Sequence, residues 1–322
     1  MPLEIKGLSK RYGNKWVLRD AEFTAHEGRV LGLLGATASG KTTLLNIITG
    51  STRSNGGSIT LDGKDLHAVR PKERQIALLP EPPKQPFLGL LAGPPRESAG
   101  EAVLKDFEEK LAKAGKVILL DDPFAHLDIE LRARYVEQVK RAARQRERIV
   151  IFATTNFEQM TEVADDVAVL ASDRIVQTGT PQQVYDEPDM ITVAELTGGG
   201  NLFEARRLSK NDAELPEFHT IEGGHRIFAA PTEKSRLGSI HQNVTLCIRP
   251  EQISMSVGSS FPEDNLLRAV VTGIRFRGAT SLVELDASGL RLETRAFKVV
   301  GLNVGDECML GLPPHRIRIL AH

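Results

Sequence analysis

Residues 35–43 read Gly-Ala-Thr-Ala-Ser-Gly-Lys-Thr-Thr, and no other stretch restricts the fold as much. A G-x-x-x-x-G-K-[ST] loop works only where a buried strand runs into the N-terminus of a helix. The flanks meet that demand: the apolar run Val30-Leu31-Gly32-Leu33-Leu34 precedes the loop and a helix-like segment, Thr42 to Thr49, follows it. Gly35 and Gly40 let the backbone curl, so that the N–H groups of the loop, through Ala36, Thr37, Ala38 and Ser39, face one anion. Lys41 then reaches the β- and γ-phosphates, and the Thr42 hydroxyl, with Thr43 beside it, is placed to ligate Mg²⁺. A bound Mg-nucleotide is the expectation.

Such a site needs a second strand that ends in acid, and Val117-Ile118-Leu119-Leu120-Asp121-Asp122 supplies one. Asp121 is the natural metal-side carboxylate and Asp122 the natural water-positioning one. Around these two strands the chain alternates short apolar runs (Val17 to Phe23, Ile149 to Phe152, Val167 to Leu170) with helical patterns opening at Ile129 and Phe157. That alternation predicts an α/β domain with a largely parallel central sheet. Past Gly198-Gly199-Gly200 the helical period is lost. Short or period-2 apolar stretches replace it, from Leu202 to Ala205 through Glu307 to Leu312, and predict a small all-β, OB-like barrel. The expected domains are therefore 1–198 and 199–322. Residues 82–100 contain Pro82-Pro83, Pro86 and Pro94-Pro95, which exclude a long helix there.

Bulk composition narrows the partners. With 41 basic and 42 acidic residues the chain has no electrostatic footprint for nucleic acid and no polybasic membrane patch. Neither a signal-like N-terminus nor about 18 consecutive apolar residues occurs, so a cytoplasmic chain is expected. Cys247 and Cys308 lack metal-ligand spacing and read as buried thiols.

Together these motifs resemble the ATP-binding-cassette (ABC) ATPases, and the whole chain resembles the ATPase subunits of carbohydrate and polyol importers. On that resemblance Tyr12, in Lys10-Arg11-Tyr12-Gly13, stacks on adenine with Val17 completing the platform. Ala125-His126-Leu127-Asp128 matches the segment that crosses a dimer interface, through Leu127 and Asp128. Gly179-Thr180-Pro181 with Val184-Tyr185 matches the end of the cassette, and Cys247 to Glu251 matches the accessory β-domain, TOBE-like, with a regulatory or dimer-stabilising role. The resemblance implies ATP and Mg²⁺ as cofactors. The implied partners are a second ABC ATPase subunit, two transmembrane permease subunits and a solute-binding protein. It also implies a peripheral position on the inner face of the cell membrane.

Several positions depart from the family pattern. Glu81 stands where a Gln contacts Mg²⁺ and the transporter, with Gln85 the alternative after a shift, and the helical subdomain is shortened around 82–115. The signature segment that completes the partner's site falls on Glu97 to Glu101, where Ser98 and Gly100 match and Ala99 and Glu101 do not; Leu91-Ala92-Gly93 is a competing register. Asp122 replaces a Glu and is one methylene short, while Thr155 replaces the His that contacts the γ-phosphate and cannot carry charge. These departures imply the degenerate member of an asymmetric ATPase pair. Two rivals stay open: a nucleotide-binding regulator uncoupled from a permease, and a slow homodimeric transport ATPase.

Overall fold

The computed structural model describes residues 2–79, 99–145, 147–207, 215–232, 236–237, 239–256, 264–297 and 301–321. Packing separates two compact units, Met1–Val184 and Tyr185–His322.

In the first unit the central sheet has six strands in the order β10-β9-β3-β8-β7-β6. They are β3 (Val30–Leu34), β6 (Ile76–Leu79), β7 (Val117–Asp121), β8 (Ile149–Thr154), β9 (Asp166–Ala171) and β10 (Arg174–Gly179). All pair in parallel except β10, which runs antiparallel to β9. Both faces are covered, which is why these strands read as unbroken apolar runs. Leu31, Leu33, Val117, Leu119, Ile149 and Ile151 enter the core that also buries Leu44, Leu45, Ile47 and Ile48 of helix α1 (Lys41–Thr49). Ile118, Leu120, Val150 and Phe152 point the other way and are equally buried.

Sequence reading did not separate out a second sheet, antiparallel, in the order β2-β1-β4-β5. It consists of β1 (Pro2–Tyr12), β2 (Lys15–His26), β4 (Gly56–Leu61) and β5 (Lys64–Asp65), and its inner residues Leu3, Ile5, Leu18 and Ile59 join the same core. Helix α1 is held at its C-terminal end by Gly50, whose φ of 84° carries the chain away, and by the buried guanidinium of Arg74. Arg74 donates to the carbonyls of Ile47 at 3.2 Å and Ile48 at 2.9 Å, satisfying acceptors the helix leaves open.

The helical spacing of Val103, Leu104, Phe107 and Leu111 predicts a core-facing stripe; on α2 (Ala99–Lys113) Leu104, Phe107 and Leu111 are buried and Val103 is half-buried. Phe107 stacks on Tyr135 of α3 (Ile129–Gln145) with ring centroids 4.2 Å apart. A short helix, α4 (Phe157–Thr161), follows β8, and α5 (Pro181–Asp186) follows β10. The shortened region around 82–115 is described only from residue 99 onward.

The second unit is all β beyond helix α6 (Ile191–Leu196), as the sequence predicts. Its barrel is built as two five-stranded half-barrel sheets, β13-β12-β11-β14-β20 and β15-β19-β16-β17-β18. The first comprises β11 (Asn201–Arg207), β12 (Glu217–Thr220), β13 (Arg226–Phe228), β14 (Asn243–Ile248) and β20 (Arg318–Leu320). The second comprises β15 (Ser254–Ser256), β16 (Asn265–Phe276), β17 (Ser281–Ala287), β18 (Leu290–Ala296) and β19 (Glu307–Leu312). Phe218, Leu246, Val283 and Leu310 lie in their shared core. Two buried asparagines stitch the sheets. Asn201 exchanges bonds with the Glu293 main chain at 2.6 and 2.8 Å, and Asn265 does the same with Phe228 at 2.7 and 2.9 Å.

The packing boundary precedes the expected boundary at 198/199 because residues 185–200 are tied to the β unit by Arg249. Its side chain, 2% exposed, donates to the carbonyls of Tyr185 at 2.7 Å, Ala194 at 3.1 Å and Gly199, and to the Thr197 hydroxyl at 2.7 Å. Replacing Arg249 by Met leaves those acceptors without their charged donor and is expected to destabilise this unit by about 3 kcal/mol. Hydrogen exchange across residues 185–200 reads the loss directly, and unchanged protection would contradict the anchoring role.

Candidate functional site

Strand β3 is buried along its length and delivers the chain to the loop at Gly35. Two glycines there are required by space rather than by flexibility alone. A Cβ on Gly35 would lie 2.6 Å from the Leu170 carbonyl oxygen, and one on Gly40 would lie 2.8 Å from the Val17 carbonyl oxygen. Gly40 also has φ 110°, a region L side chains rarely enter. Ala38 sits at φ 61°, and Ala36, Thr37 and Ala38 are exposed at the tip. The Ser39 hydroxyl oxygen is buried with no hydrogen-bond partner, an unmet polar group inside the loop. Thr43 is half-buried in the first turn of α1.

Lys41, 9% exposed, folds back over the loop and donates to the carbonyls of Gly35 at 2.7 Å and Ala36 at 2.8 Å. Burial pushes its ammonium below the usual lysine range, while the nearby charges of Asp121 and Asp122 oppose the shift. A cation held by two neutral carbonyls and two acids would gain from an anion in the loop. Thr42 donates its hydroxyl proton to the Asp121 carboxylate at 2.8 Å, so the two expected metal-side groups are already in contact.

Register explains how the acids reach this point. Leu34 is paired with Thr154 and Asp121 with Ala153, so β3, β8 and β7 end along one edge. Asp122 then turns into the left-handed region at φ 48°, which Asp tolerates better than most residues, and its N–H donates to the Ala153 carbonyl at 2.9 Å. Its carboxylate accepts from the Thr154 hydroxyl at 3.3 Å. Thr154, missed in the sequence reading, is 1% exposed, and it also accepts from the N–H of Asn156 at 3.1 Å. The available signal was a polar residue closing the apolar run of β8. Thr155 itself is exposed, on the turn whose Asn156 side chain caps α4 by accepting from the Gln159 N–H at 3.1 Å.

Val17 lies against Gly40, and Tyr12, 53% exposed with the Lys10 ammonium 4.9 Å from its ring centroid, closes the same hairpin. Asp128 caps α3 by accepting from the Leu131 N–H at 2.8 Å, with the half-buried Leu127 just before it. Gly100 also faces α3, its Cβ position lying 3.7 Å from Leu131; Glu101 is exposed on α2, and Ala99 opens that helix. Glu81 and Ser98 lie outside the described residues. The structure thus brings together Val17, the loop 35–43, Asp121 and Asp122, and sets Thr155 beside them through Thr154. Among the described residues no cluster of three or more His, Cys, Asp or Glu forms a metal cage, so a cation there would share Thr42 and Asp121 with a ligand's own oxygens.

Two family models match the chain: ABC transporter over residues 18–90 and TOBE domain over residues 246–320. The "Spermidine/putrescine import ATP-binding protein PotA" of Haemophilus ducreyi is 27% identical over 336 residues, covering 92% of this chain and 89% of the relative. The "Fe(3+) ions import ATP-binding protein FbpC" of Photorhabdus laumondii is 27% identical over 356 residues, covering 99% and 97%. The "Sulfate/thiosulfate import ATP-binding protein CysA" of Bacillus cereus is 29% identical over 246 residues, covering 64% and 69%. A solved chain described as "Structure of ATP binding subunit of ABC transporter" aligns with TM-score 0.45 at 20% identity, covering 57% of this chain and 92% of that one.

The loop geometry predicts opposite outcomes for two glycine substitutions. Gly40→Ala is expected to cost about 1–3 kcal/mol through backbone strain and the Val17 contact, whereas Gly100→Ala, in a helix with room for a methyl group, is expected to cost nothing. Thermal unfolding of the full chain checks this, and equal melting temperatures for the two variants would contradict it.

Proposed function

We propose that this chain, an ABC-transporter ATPase cassette joined to a TOBE domain and homologous to importer ATP-binding subunits, binds Mg-ATP and drives solute import. The observation that carries the reading is the convergence at one sheet edge of a glycine-shaped loop, a buried lysine and a hydroxyl–carboxylate pair. The residues present fit the nucleotide. Ser39 has an unmet buried hydroxyl facing into the loop's own turn, and Gly35 and Gly40 stay bare because a Cβ would collide with the Leu170 and Val17 carbonyl oxygens. Thr42 and Asp121 would hold Mg²⁺, which when bound offsets negative charge on the phosphates.

In this reading Tyr12 and Val17 carry the base. The loop N–H groups hold the phosphates, and Lys41 exchanges its two carbonyl partners for phosphate oxygens. Asp122 accepts a proton from the water that attacks the terminal phosphate. Its carboxylate is a methylene shorter than Glu, so turnover at this site is slow while binding is retained. Thr155 donates one neutral hydrogen bond where the family carries an imidazole. Leu127 and Asp128 face a second ATPase across the dimer, and Ser98, Ala99, Gly100 and Glu101 complete that partner's site, with Glu81 on the metal side. The partner carries the full motif set. Two permease subunits and a solute-binding protein complete the importer and place this chain at the cytoplasmic face of the membrane, where it contacts no nucleic acid. Among the described residues no helix is long and apolar enough to cross a membrane.

Sugar or polyol is the finer cargo reading. The relatives named above transport spermidine/putrescine, ferric ion and sulfate/thiosulfate by name, which favours a wider class of small solutes. A regulator uncoupled from a permease is the second reading, favoured by the shortened helical subdomain read from the sequence around 82–115. Affinity purification from solubilised membranes separates them, since an importer subunit brings permeases with it and a regulator does not.

Lys41→Ala is expected to weaken Mg-ATP binding at least tenfold, about 1.4 kcal/mol, in an equilibrium titration. Asp122→Glu is expected to raise the single-turnover hydrolysis rate about tenfold with affinity unchanged, within the range general-base assistance spans. Unaltered affinity in the lysine variant would remove the basis of the proposal.

A further inference from the structure

Thr154 touches the start of the loop, the Asp122 carboxylate and the Thr155 turn without reaching the site's surface. Its carbonyl accepts from the Gly35 N–H at 3.3 Å, at the start of the phosphate loop. Its hydroxyl accepts from the Asn156 N–H at 3.1 Å, in the turn that presents Thr155, and donates to Asp122 at 3.3 Å. A hydroxyl has one proton. With the Asn156 N–H filling an acceptor position, that proton is directed to the Asp122 carboxylate. At 3.3 Å the bond is long, as such bonds are before a substrate closes on them. The side chain is 1% exposed, so no water competes for either partner.

We infer that Thr154 is a positioning residue: its hydroxyl fixes the rotamer of Asp122 and couples that carboxylate to the Thr155 turn. The inference rests on the reading of Asp122 as the water-positioning group. The left-handed backbone at Asp122 sends its short side chain back toward β8, where the Thr154 hydroxyl meets it. One carboxylate oxygen is thereby engaged by the Thr154 hydroxyl. A shift of the turn moves the Thr154 hydroxyl and with it the carboxylate, so loading of the loop and aiming of the water are linked through one buried group. Thr154 contacts neither the nucleotide nor the water in this arrangement, which separates its role from that of Asp122.

The test compares Thr154→Val, which keeps shape and removes the hydroxyl, with Thr154→Ser, which keeps the hydroxyl, each as the full chain. Asp122→Asn and the double variant Thr154→Val/Asp122→Asn complete a cycle. The measurements are single-turnover hydrolysis of γ-labelled ATP with Mg²⁺, protein in excess, and equilibrium binding of Mg-ATP. Thr154→Val is expected to slow hydrolysis about tenfold with affinity within twofold of wild type, as a misplaced group does. Thr154→Ser is expected to restore most of the rate, and the double variant to be no slower than Asp122→Asn. If valine prevents folding, Thr154→Ala carries the same comparison. A wild-type rate in the variant lacking the hydroxyl, failure of serine to restore the rate, or multiplicative losses in the double variant would overturn the positioning role. Wild-type protein that binds Mg-ATP without hydrolysing it would overturn that role and leave the nucleotide reading standing. Wild-type protein that does not bind Mg-ATP would overturn both.

Discussion

Parallel pairing of β3, β8 and β7 is the constraint on which the rest depends. The ladder places Leu34 opposite Thr154 and Ala153 opposite Asp121, so the last residues of three buried strands share one edge. From that edge the chain leaves in three ways: into the loop at Gly35, into the left-handed turn at Asp122, and into the cap of α4 at Asn156. A slip of one residue would reverse the facing of every side chain in a strand and separate Thr42 from Asp121. Register is protected because both faces of the sheet are packed: neither Leu119 nor Ile118 has solvent to turn toward.

The edge stores electrostatic tension that the sheet core does not. Lys41 is held by carbonyls of its own loop, with its ammonium disfavoured by burial and only partly compensated by Asp121 and Asp122. Ser39 keeps an unmet hydroxyl, and Asp122 and Ala38 hold backbone angles that cost energy in most residues. Such costs concentrate at functional sites. The C-terminal end of α1 is arranged differently. Arg74 and Gly50 meet its needs within the protein, so that end of the helix is fixed.

Much of this was legible in the residues because each signal was local. Val30 to Leu34, Val117 to Leu120 and Ile149 to Phe152 are continuous apolar runs since both faces of the sheet are buried, and the loop between Gly35 and Thr43 announces its own geometry. The stripe of Leu104, Phe107 and Leu111 on α2 followed from helical spacing alone. What sequence could not supply were contacts between residues far apart in the chain. Arg249 reads as one residue of the Cys247 to Glu251 segment until its bonds to Tyr185, Ala194 and Thr197 are seen, and those bonds tie residues 185–200 to the β unit. Asn201 and Asn265 gave no hint that they stitch two half-barrel sheets. Thr154, beyond the apolar run Ile149 to Phe152, gave no signal of its contacts because its partners, Asp122 and Asn156, become neighbours only through the sheet and the turn. Asp128 caps α3, which its motif did not suggest.

The most direct test of the nucleotide site is a crystal structure of the full chain carrying Asp122→Asn, grown with Mg-ATP to hold the uncleaved nucleotide. The account predicts that the triphosphate lies in the loop of residues 35–43 with the Lys41 ammonium moved off the Gly35 and Ala36 carbonyls onto phosphate oxygens. It also predicts a cation between the Thr42 hydroxyl and the Asp121 carboxylate, in place of their direct bond. A nucleotide bound elsewhere, or a loop that keeps Lys41 on its own carbonyls in the presence of saturating Mg-ATP, would contradict it.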